Sequence, residues 1–276
     1  MNILVTGSSG FLGSSLIKKL KDNVVQYDQN HNSLETLDNI ELLKLKLRDI
    51  DVVYHLAGIS NPNSPDLYNV NVTGTKNLTE VIKDLKQNTR IIFSSTFGVH
   101  KTPEKGDMIN EDFPINPRNE YGRSKLEAEK LLLKNDKNII IRLSNIYGTN
   151  MLHGKHSVVA NFIDSILNKK PVKVFEKDAT RDFIYIDDVV DSLYLALKCQ
   201  DPGIYNICTG EETSIIKLIE MIEDKMNKKA ILDFSVSSSG SGYWKGDFTK
   251  ARKRLGWKPK FSLDKGLDKV ILNKTI

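Results

Sequence analysis

Cysteine is scarce in this chain of 276 residues, which contains only Cys199 and Cys208. Two cysteines are too few for a disulfide framework and lack the spacing of a metal site, so we expect free thiols and no bound metal. Long apolar runs are absent as well. Runs such as residues 139–141 are far shorter than the roughly 18 residues that cross a bilayer. The sequence therefore predicts no membrane helix.

Neither sign of charge dominates, since 40 Lys and Arg stand against 35 Asp and Glu, a net charge of +5. The basic residues are scattered along the chain, whereas a nucleic-acid-binding protein usually gathers them on one face. We therefore expect no nucleic-acid partner. The N-terminal residues lack the basic and apolar segments of a signal peptide, which favours a cytoplasmic location.

The chain does contain a regular alternation of apolar runs and amphipathic stretches. Strands are predicted at 3–5, 24–27, 52–54, 90–93 and 138–143, and helices at 11–20, 40–47, 72–86 and 121–133. This order is typical of a doubly wound α/β domain with a parallel sheet. Beyond Tyr147 the pattern loosens into a smaller region with a helix at 157–168, a strand at 172–175 and a serine-rich loop at 235–242. Residues 247–255 are predicted to form a terminal helix.

The turn after the first predicted strand carries Gly7, Gly10 and Gly13 and leads into the first helix. Backbone NH groups at such a turn, together with the positive end of the helix dipole, can bind a pyrophosphate. The second strand ends at Asp28, about twenty residues further on, where a carboxylate can accept hydrogen bonds from an adenosine ribose and repel a 2′-phosphate. The pattern favours NAD over NADP; the alternative is a strand, turn and helix with incidental glycines.

The Gly-x-x-Gly-x-x-Gly spacing resembles that of extended short-chain dehydrogenases/reductases. Within them, the chain is most similar to the NAD-dependent epimerases and dehydratases related to UDP-glucose 4-epimerase. Seven further motifs occur in family order between residue 2 and about residue 267: His55-Leu56-Ala57-Gly58, residues 71–75, Ser94-Ser95-Thr96, residues 121–125, 142–148, 181–189 and 206–210.

The resemblance implies a Rossmann-type NAD-binding domain and a smaller C-terminal α/β domain that binds the substrate. The first would comprise 1–148 and about 181–207, and the second about 149–180 and 208–276. Asp38 is the candidate for adenine contact. The implied cofactor contacts are Gly7, Ser9, Gly10, Phe11, Leu12, Gly13, Asp28, Asp38, Leu56, Ala57, Gly58, Ser94, Tyr121 and Lys125.

Tyr121 and Lys125 are four residues apart, which places both on one face of a helix. A neighbouring ammonium favours the phenolate, so Tyr121 is predicted to act as a base whose pKa is lowered toward the working range. The resemblance adds Thr96 as the hydroxyl that donates a hydrogen bond to the reacting oxygen.

The resemblance also implies a nucleotide diphosphate sugar as substrate. Thr96 and Tyr121 would contact the sugar, Asn145 and Arg181 the diphosphate, and Val174 and Phe175 the edge of the base. For Arg181, an ion pair with Asp182 or Asp187 is the alternative.

Several positions depart from the family pattern. Phe97 and Gly98 replace the Asp-Glu pair of the sugar 4,6-dehydratases, which argues against dehydration. His100 stands where the family usually has tyrosine, and residues 237–247 provide Lys245 but no arginine for the diphosphate. His153 and His156 are interpreted as surface histidines.

Three functions remain open. The first is a nucleotide-sugar 4-epimerase that works through a 4-keto intermediate. The second is a 4-ketoreductase of a nucleotide-linked 6-deoxyhexose that consumes NADH or NADPH, and the third is a non-catalytic dinucleotide sensor. The resemblance also implies a homodimer formed by a four-helix bundle of the helices at 72–86 and 121–133.

Overall fold

The computed structural model describes residues 1–21, 23–30, 35–149, 151, 157–175, 179–235 and 242–275. His153 and His156 lie outside these ranges. The strands are β1 Asn2–Thr6, β2 Asn23–Tyr27, β3 Val52–His55, β4 Arg90–Thr96, β5 Ile139–Leu143, β6 Asn145–Tyr147, β7 Pro171–Lys173, β8 Thr180–Arg181, β9 Phe183–Tyr185, β10 Gly203–Ile207, β11 Thr213–Ser214 and β12 Ile231–Asp233. The helices are α1 Phe11–Ile17, α2 Ile40–Leu47, α3 Gly74–Asp84, α4 Glu120–Leu132, α5 Val158–Leu167, α6 Ile186–Lys198, α7 Ile215–Met226, α8 Thr249–Leu255 and α9 Leu263–Thr275.

Six strands form a parallel sheet in the order β10-β5-β4-β3-β1-β2. The order reverses at β1, whose neighbours are β2 on one side and β3 on the other. In doubly wound sheets, ligands bind at the carboxyl ends of the strands at such a reversal. The predicted Rossmann-type α/β fold is confirmed, and its reversal point lies at Thr6 and His55, which are register partners.

The central stretches of the inner strands, such as Ile3 to Val5 and Ile139 to Ile141, are apolar because helices cover both faces of the sheet. Within β1, Ile3 and Val5 belong to a core cluster that includes Leu16 and Leu193, from α1 and α6. Leu4 points to the opposite cluster, which is formed with α2, α3 and α4. This alternation explains why β1 shows no polar positions between its buried residues.

The C-terminal region contains more helices than the sequence predicts, among them α7 and α9. The prediction that residues 247–255 form the terminal helix was wrong, because α9 follows α8. Gly256 ends α8 in the left-handed conformation, with a φ of +66°. Trp257 is then buried and donates a hydrogen bond from Nε1 to the Asp188 carbonyl at 2.9 Å. α9 contains few apolar residues, chiefly Leu267, Val270 and Ile271. Its sequence pattern therefore gives little indication of a helix.

Within the ranges given above, none of the helices combines the length and the apolar content needed to cross a lipid bilayer. In the same ranges, His, Cys, Asp and Glu side chains form no group of three that could bind a metal ion. Cys199 and Cys208 are buried free thiols.

Candidate active site

The glycine-rich turn after β1 packs directly against the loop after β3. Gly7 has a φ of +68°, and a Cβ atom there would lie 2.6 Å from the Ala57 amide nitrogen. A Cβ atom on Gly13 would lie 2.2 Å from the Gly7 carbonyl oxygen. Only glycine fits at these two positions, because real Cβ atoms do not approach backbone so closely. The turn therefore keeps the N-terminus of α1 open beside the end of β3.

A cleft of about 530 Å³ lies at this reversal point. Its residues include Gly7, Ser9, Gly10, Asp28, Asp38, Leu56, Ala57 and Gly58, all predicted as cofactor contacts. Phe11 and Leu12 pack instead against the core, and Gly13 is buried inside the turn. Among the described residues of its wall are four carboxylates, from Asp28, Glu35, Asp38 and Asp66, and no lysine or arginine.

Asp28 ties the second strand to the glycine-rich turn. It is 8% exposed, and its carboxylate accepts hydrogen bonds from the backbone amides of Ser9 at 3.0 Å and Asn30 at 2.9 Å. A carboxylate has about four acceptor sites, so two remain for the hydroxyls of a ribose. The shape of the turn and the acceptors of Asp28 thus fit a dinucleotide without a 2′-phosphate.

His55 is a buried residue whose part in the site the sequence did not reveal. Its Nδ1 lies 2.9 Å from the Thr6 hydroxyl, and its Nε2 lies 2.9 Å from the Thr75 hydroxyl. Thr75 donates to the Asn71 carbonyl and Thr6 accepts from the Ala57 amide. Because the Thr75 hydroxyl donates to Asn71, it accepts from His55 Nε2, and this nitrogen therefore carries the proton. Burial lowers the pKa of His55 to about 3. The neutral ring therefore fixes the 56–58 segment of the cleft.

Asn71 connects the cofactor cleft to α4. Its Oδ1 accepts from the Ile59 amide at 2.8 Å, and its Nδ2 donates to the Ser124 hydroxyl at 2.9 Å. Asn71 is 2% exposed. The sequence placed it in a family motif but gave it no role. Its two contacts hold the loop after β3 against the helix that carries Tyr121 and Lys125.

Tyr121 lies beside Thr96 at the carboxyl end of β4, and Lys125 follows on the same helix as Tyr121. Asn119 caps α4 by accepting a hydrogen bond from the Gly122 amide at 2.9 Å, so Tyr121 lies in the first turn. The Thr96 side chain lies close enough to the Tyr121 phenol to act on its pKa, and Ser94 precedes Thr96 by two residues on the same strand. The structure therefore brings two of the three residues predicted as catalytic, Thr96 and Tyr121, next to each other, and Lys125 lies one turn further along α4.

The ammonium group of Lys125 is buried beside the cofactor cleft. Its Nζ lies 3.9 Å from the centroid of the Phe93 ring, and a Cβ atom on Gly58 would lie 3.8 Å from it. Burial lowers the pKa of Lys125 to about 7, against the opposing charge of Glu129.

Burial also raises the pKa of Tyr121 to about 12, although the hydrogen bond from Thr96 acts in the other direction. The sequence led us to expect a lowered pKa for Tyr121. Within the protein itself, the cost of desolvating a phenolate outweighs the opposing effect of the Thr96 hydroxyl.

A second cleft, of about 740 Å³, lies between α5, β7 and β8. Arg181 lines it, and so does Phe175, whereas Val174 is 2% exposed and faces the core. Of the two residues expected at the edge of the base, Phe175 therefore lies at this wall, and Val174 is buried in the core. Lys170 and Lys173 add two cations that the sequence analysis did not single out.

The guanidinium group of Arg181 is held by two carbonyl groups, those of Thr180 at 2.8 Å and Gly242 at 3.1 Å. The two carboxylates that the sequence offered as its ion-pair partners have other donors. Asp182 accepts from the amides of Thr209 and Gly210, and Asp187 pairs with Lys269 at 3.8 Å.

Asn145 joins this region through the backbone. Its amide donates to the Asp182 carbonyl at 2.9 Å, and β6 pairs with β9 in parallel. The Asn145 backbone is therefore held next to Asp182, the residue that follows Arg181 in sequence, and Asn145 is not among the described residues that line the 740 Å³ cleft.

Residues 3–208 match the model of the NAD dependent epimerase/dehydratase family. The chain belongs to this family. The predicted family and the prediction of an NAD-dependent enzyme are thereby confirmed.

Two curated relatives cover nearly the whole chain of this epimerase/dehydratase. A UDP-glucose 4-epimerase from Mycolicibacterium smegmatis is 32% identical, over 98% of this chain and 97% of its own length. A dTDP-4-dehydro-6-deoxyglucose reductase from Escherichia coli is 30% identical, over 98% and 96%. Among solved structures, a UDP-glucuronic acid 4-epimerase from Bacillus cereus, in complex with UDP-glucuronic acid and NAD, has a TM-score of 0.85 and 29% identity, covering 100% of this chain and 99% of that one.

The positions where this family member departs from the dehydratase pattern are apolar or buried. Phe97 is 4% exposed and packs with Ile109 and Cys208. Gly98, the next residue, has no side chain to supply an acid. Lys245 lies in the backbone segment that pairs with Ile109, whose amide donates to the Lys245 carbonyl at 2.9 Å. The turn after β4 therefore presents the triad without an added acid and base.

Proposed function

We propose that this family member is an NAD-dependent nucleotide-sugar 4-epimerase that acts by reversible hydride transfer at C4. The observation that carries the proposal is the arrangement at the end of β4: the Thr96 side chain lies beside the Tyr121 phenol, and Lys125 follows one turn along the helix. The two positions after Thr96 hold Phe97 and Gly98, which supports oxidation and reduction at one carbon rather than elimination of water.

The cofactor we propose is NAD, bound in the 530 Å³ cleft. Gly7, Ser9 and Gly10 would hold its pyrophosphate, and Asp28 its adenosine ribose. Four carboxylates and no cation among the described wall residues would repel the 2′-phosphate of NADP. NAD supplies the acceptor and the donor of the hydride.

The side chains of Tyr121, Thr96 and Lys125 would carry out the proton transfer at the C4 hydroxyl. Tyr121 takes the proton of the C4 hydroxyl and later returns it, while Thr96 donates a hydrogen bond to the same oxygen. Lys125 stabilises the phenolate through its charge, and its buried position makes that charge effective. The 4-keto sugar must then turn over in the pocket before it is reduced on its opposite face.

The nucleotide would occupy the 740 Å³ cleft. The charged side chains of its wall are Lys170, Lys173, Arg181 and Asp233, so cations outnumber anions by two among the described residues. That balance suits a diphosphate. Arg181 offers the planar fork that matches phosphate oxygens, and Lys173 compensates for the arginine missing from residues 237–247.

An Arg181→Met variant should raise the KM for the nucleotide sugar about 10- to 100-fold, since hydrogen bonds to charged groups contribute about 1.5–3 kcal/mol. Competition binding with UDP and with uridine checks the cause. We expect weaker UDP binding and unchanged uridine binding, with Lys228→Met as a control outside the cleft. Equal losses for both ligands would contradict a diphosphate contact.

A 4-ketoreductase is the second candidate function. It is favoured by the similarity to the Escherichia coli reductase, and it would use the same triad. The two functions differ in stoichiometry, because a reductase consumes one reduced cofactor for each product, whereas an epimerase consumes none.

We also propose that the enzyme is a cytoplasmic homodimer that associates through α3 and α4. The exposed residues of these helices are largely charged: Lys76, Glu80 and Lys83 on α3, and Arg123, Glu127 and Lys130 on α4. Exposed ion pairs weaken as salt screens them. Light scattering after gel filtration should therefore show a dimer at low salt that dissociates as salt is raised; a monomer at low salt would refute this assembly.

A further inference from the structure

A buried ion pair lies behind the catalytic triad. Glu129 is 1% exposed and Arg142 is 3% exposed. The guanidinium group of Arg142 donates from Nη2 to Glu129 Oε2 at 2.7 Å and from Nε to Oε1 at 3.1 Å. This two-pronged geometry fixes the orientation of both side chains. The pair therefore locks α4 to β5.

The same carboxylate connects α4 to β4. The Ser95 hydroxyl donates to Glu129 Oε1, and Ser95 is the register partner of Arg142 in the sheet. Ser95 directly precedes Thr96. Glu129 follows Lys125 by one helical turn and Tyr121 by two. The contacts of Glu129 thus set the position of the helix that carries Tyr121 relative to the strand that carries Thr96.

On the side away from Glu129, the guanidinium group of Arg142 donates to two further acceptors. Arg142 Nη1 donates to the Glu111 carbonyl at 3.0 Å and to His100 Nε2 at 3.4 Å. His100 donates from Nδ1 to the Phe113 carbonyl at 2.9 Å, which assigns the tautomer. Burial and the charge of Arg142 lower the pKa of His100 to about 4, so the ring stays neutral. His100 thus occupies the family's tyrosine position as an acceptor for Arg142.

Glu129 also acts on Lys125 by charge. It is the group that opposes the effect of burial on the Lys125 ammonium. From the neighbouring strands, Lys125 faces the Phe93 ring of β4 and the neutral His55 of β3. On the other side of Glu129 stand Arg142 and the Ser95 hydroxyl, described above. The carboxylate is therefore the negative charge that the catalytic lysine meets on its own helix.

We propose that the Ser95–Glu129–Arg142 network is a positioning device that sets the placement of Tyr121 against Thr96 and supplies the negative charge facing Lys125. Buried ion pairs contribute little net stability compared with apolar side chains of similar size, so a role beyond stability accounts for this one. Errors of about 1 Å in the placement of catalytic groups cost on the order of 10²-fold in rate. The inference rests on the proposed function, in which Tyr121 is the base.

Two variants separate position from charge. Ser95→Ala removes the link to β4 but keeps the carboxylate, and Glu129→Gln removes the charge as well. Leu132→Ala is the matched control, because Leu132 is buried on the same helix and takes no part in the network. We expect kcat to fall about 10²-fold in Glu129→Gln and by less in Ser95→Ala, with KM nearly unchanged. Leu132→Ala should lower Tm and leave kcat close to that of the unmodified enzyme.

The titration of Lys125 gives a readout that does not need turnover. The ¹³C signal of its Cε atom can be followed against pH by NMR and assigned with Lys125→Met. Removal of the Glu129 charge should lower the pH at which Lys125 loses its proton, whereas Ser95→Ala should leave it unchanged. If Glu129→Gln does not fold, Ser95→Ala decides through its kcat.

Two results would overturn the inference: variants that lower Tm while kcat and the Lys125 titration stay as in the unmodified protein, or a Leu132→Ala variant that loses as much kcat as Glu129→Gln. A failure of the proposed function is distinguishable from both. In that case the unmodified protein converts no nucleotide sugar, yet the Lys125 titration still responds to Glu129→Gln.

Discussion

Tyr121→Phe should lower kcat about 10³-fold, because the variant keeps the ring but removes the group that takes and returns the proton. Binding of NAD and of the nucleotide sugar should change little, since phenylalanine keeps the ring and its packing at this position. The measurement is kcat and KM by coupled assay, with NAD binding followed by calorimetry.

Tyr68→Phe is the matched control for that experiment. The Tyr68 hydroxyl donates a hydrogen bond to the Glu120 carboxylate at 3.0 Å. Glu120 directly precedes Tyr121 in sequence but lies on the exposed side of the helix. Loss of this hydroxyl should leave kcat unchanged. If the Tyr121→Phe variant kept full turnover, Tyr121 would not be the base. That result would favour the alternative of a non-catalytic dinucleotide sensor.

Asp28→Ala should weaken NAD binding about 10- to 100-fold and abolish most of the preference for NAD over NADP. The first effect follows from the loss of hydrogen bonds to a charged acceptor, each contributing about 1.5–3 kcal/mol. The second follows from the loss of the carboxylate nearest to the place of a 2′-phosphate. Calorimetric Kd values for both cofactors give the two effects directly.

Asp66→Asn serves as the control in the same cleft. It also removes one negative charge, but it lies on the loop after β3 and has no contact with the glycine-rich turn in the hydrogen bonds described here. We expect a smaller change in NAD binding than for Asp28→Ala. Equal effects of the two variants would mean that the overall charge of the cleft, rather than Asp28, selects the cofactor.

The elements that local pattern governs were predictable from the sequence. The inner sheet strands contain short apolar runs and the glycines of the first turn are required by backbone contacts, so both are visible in the order of the residues. Asp28 and the Tyr121–Lys125 pair follow from spacing along one strand and one helix.

Features that depend on packing could not be predicted. Val174 and Phe175 are neighbours on a strand-like segment, where successive side chains point to opposite sides, so only one of the two can face the cleft. Glu129 and Arg142 lie 13 positions apart, on a helix and on the next strand, and only the fold brings them together. The raised pKa of Tyr121 likewise comes from burial, which spacing does not reveal.

The most direct test of the epimerase proposal is proton NMR of the purified enzyme with UDP- and dTDP-hexoses, catalytic NAD and no reductant. We predict that the C4 epimer appears and reaches equilibrium with no net formation of NADH. Unchanged hexoses, together with conversion of a 4-keto-6-deoxy sugar nucleotide only when one NADH or NADPH is consumed for each product, would contradict the epimerase and assign the reductase.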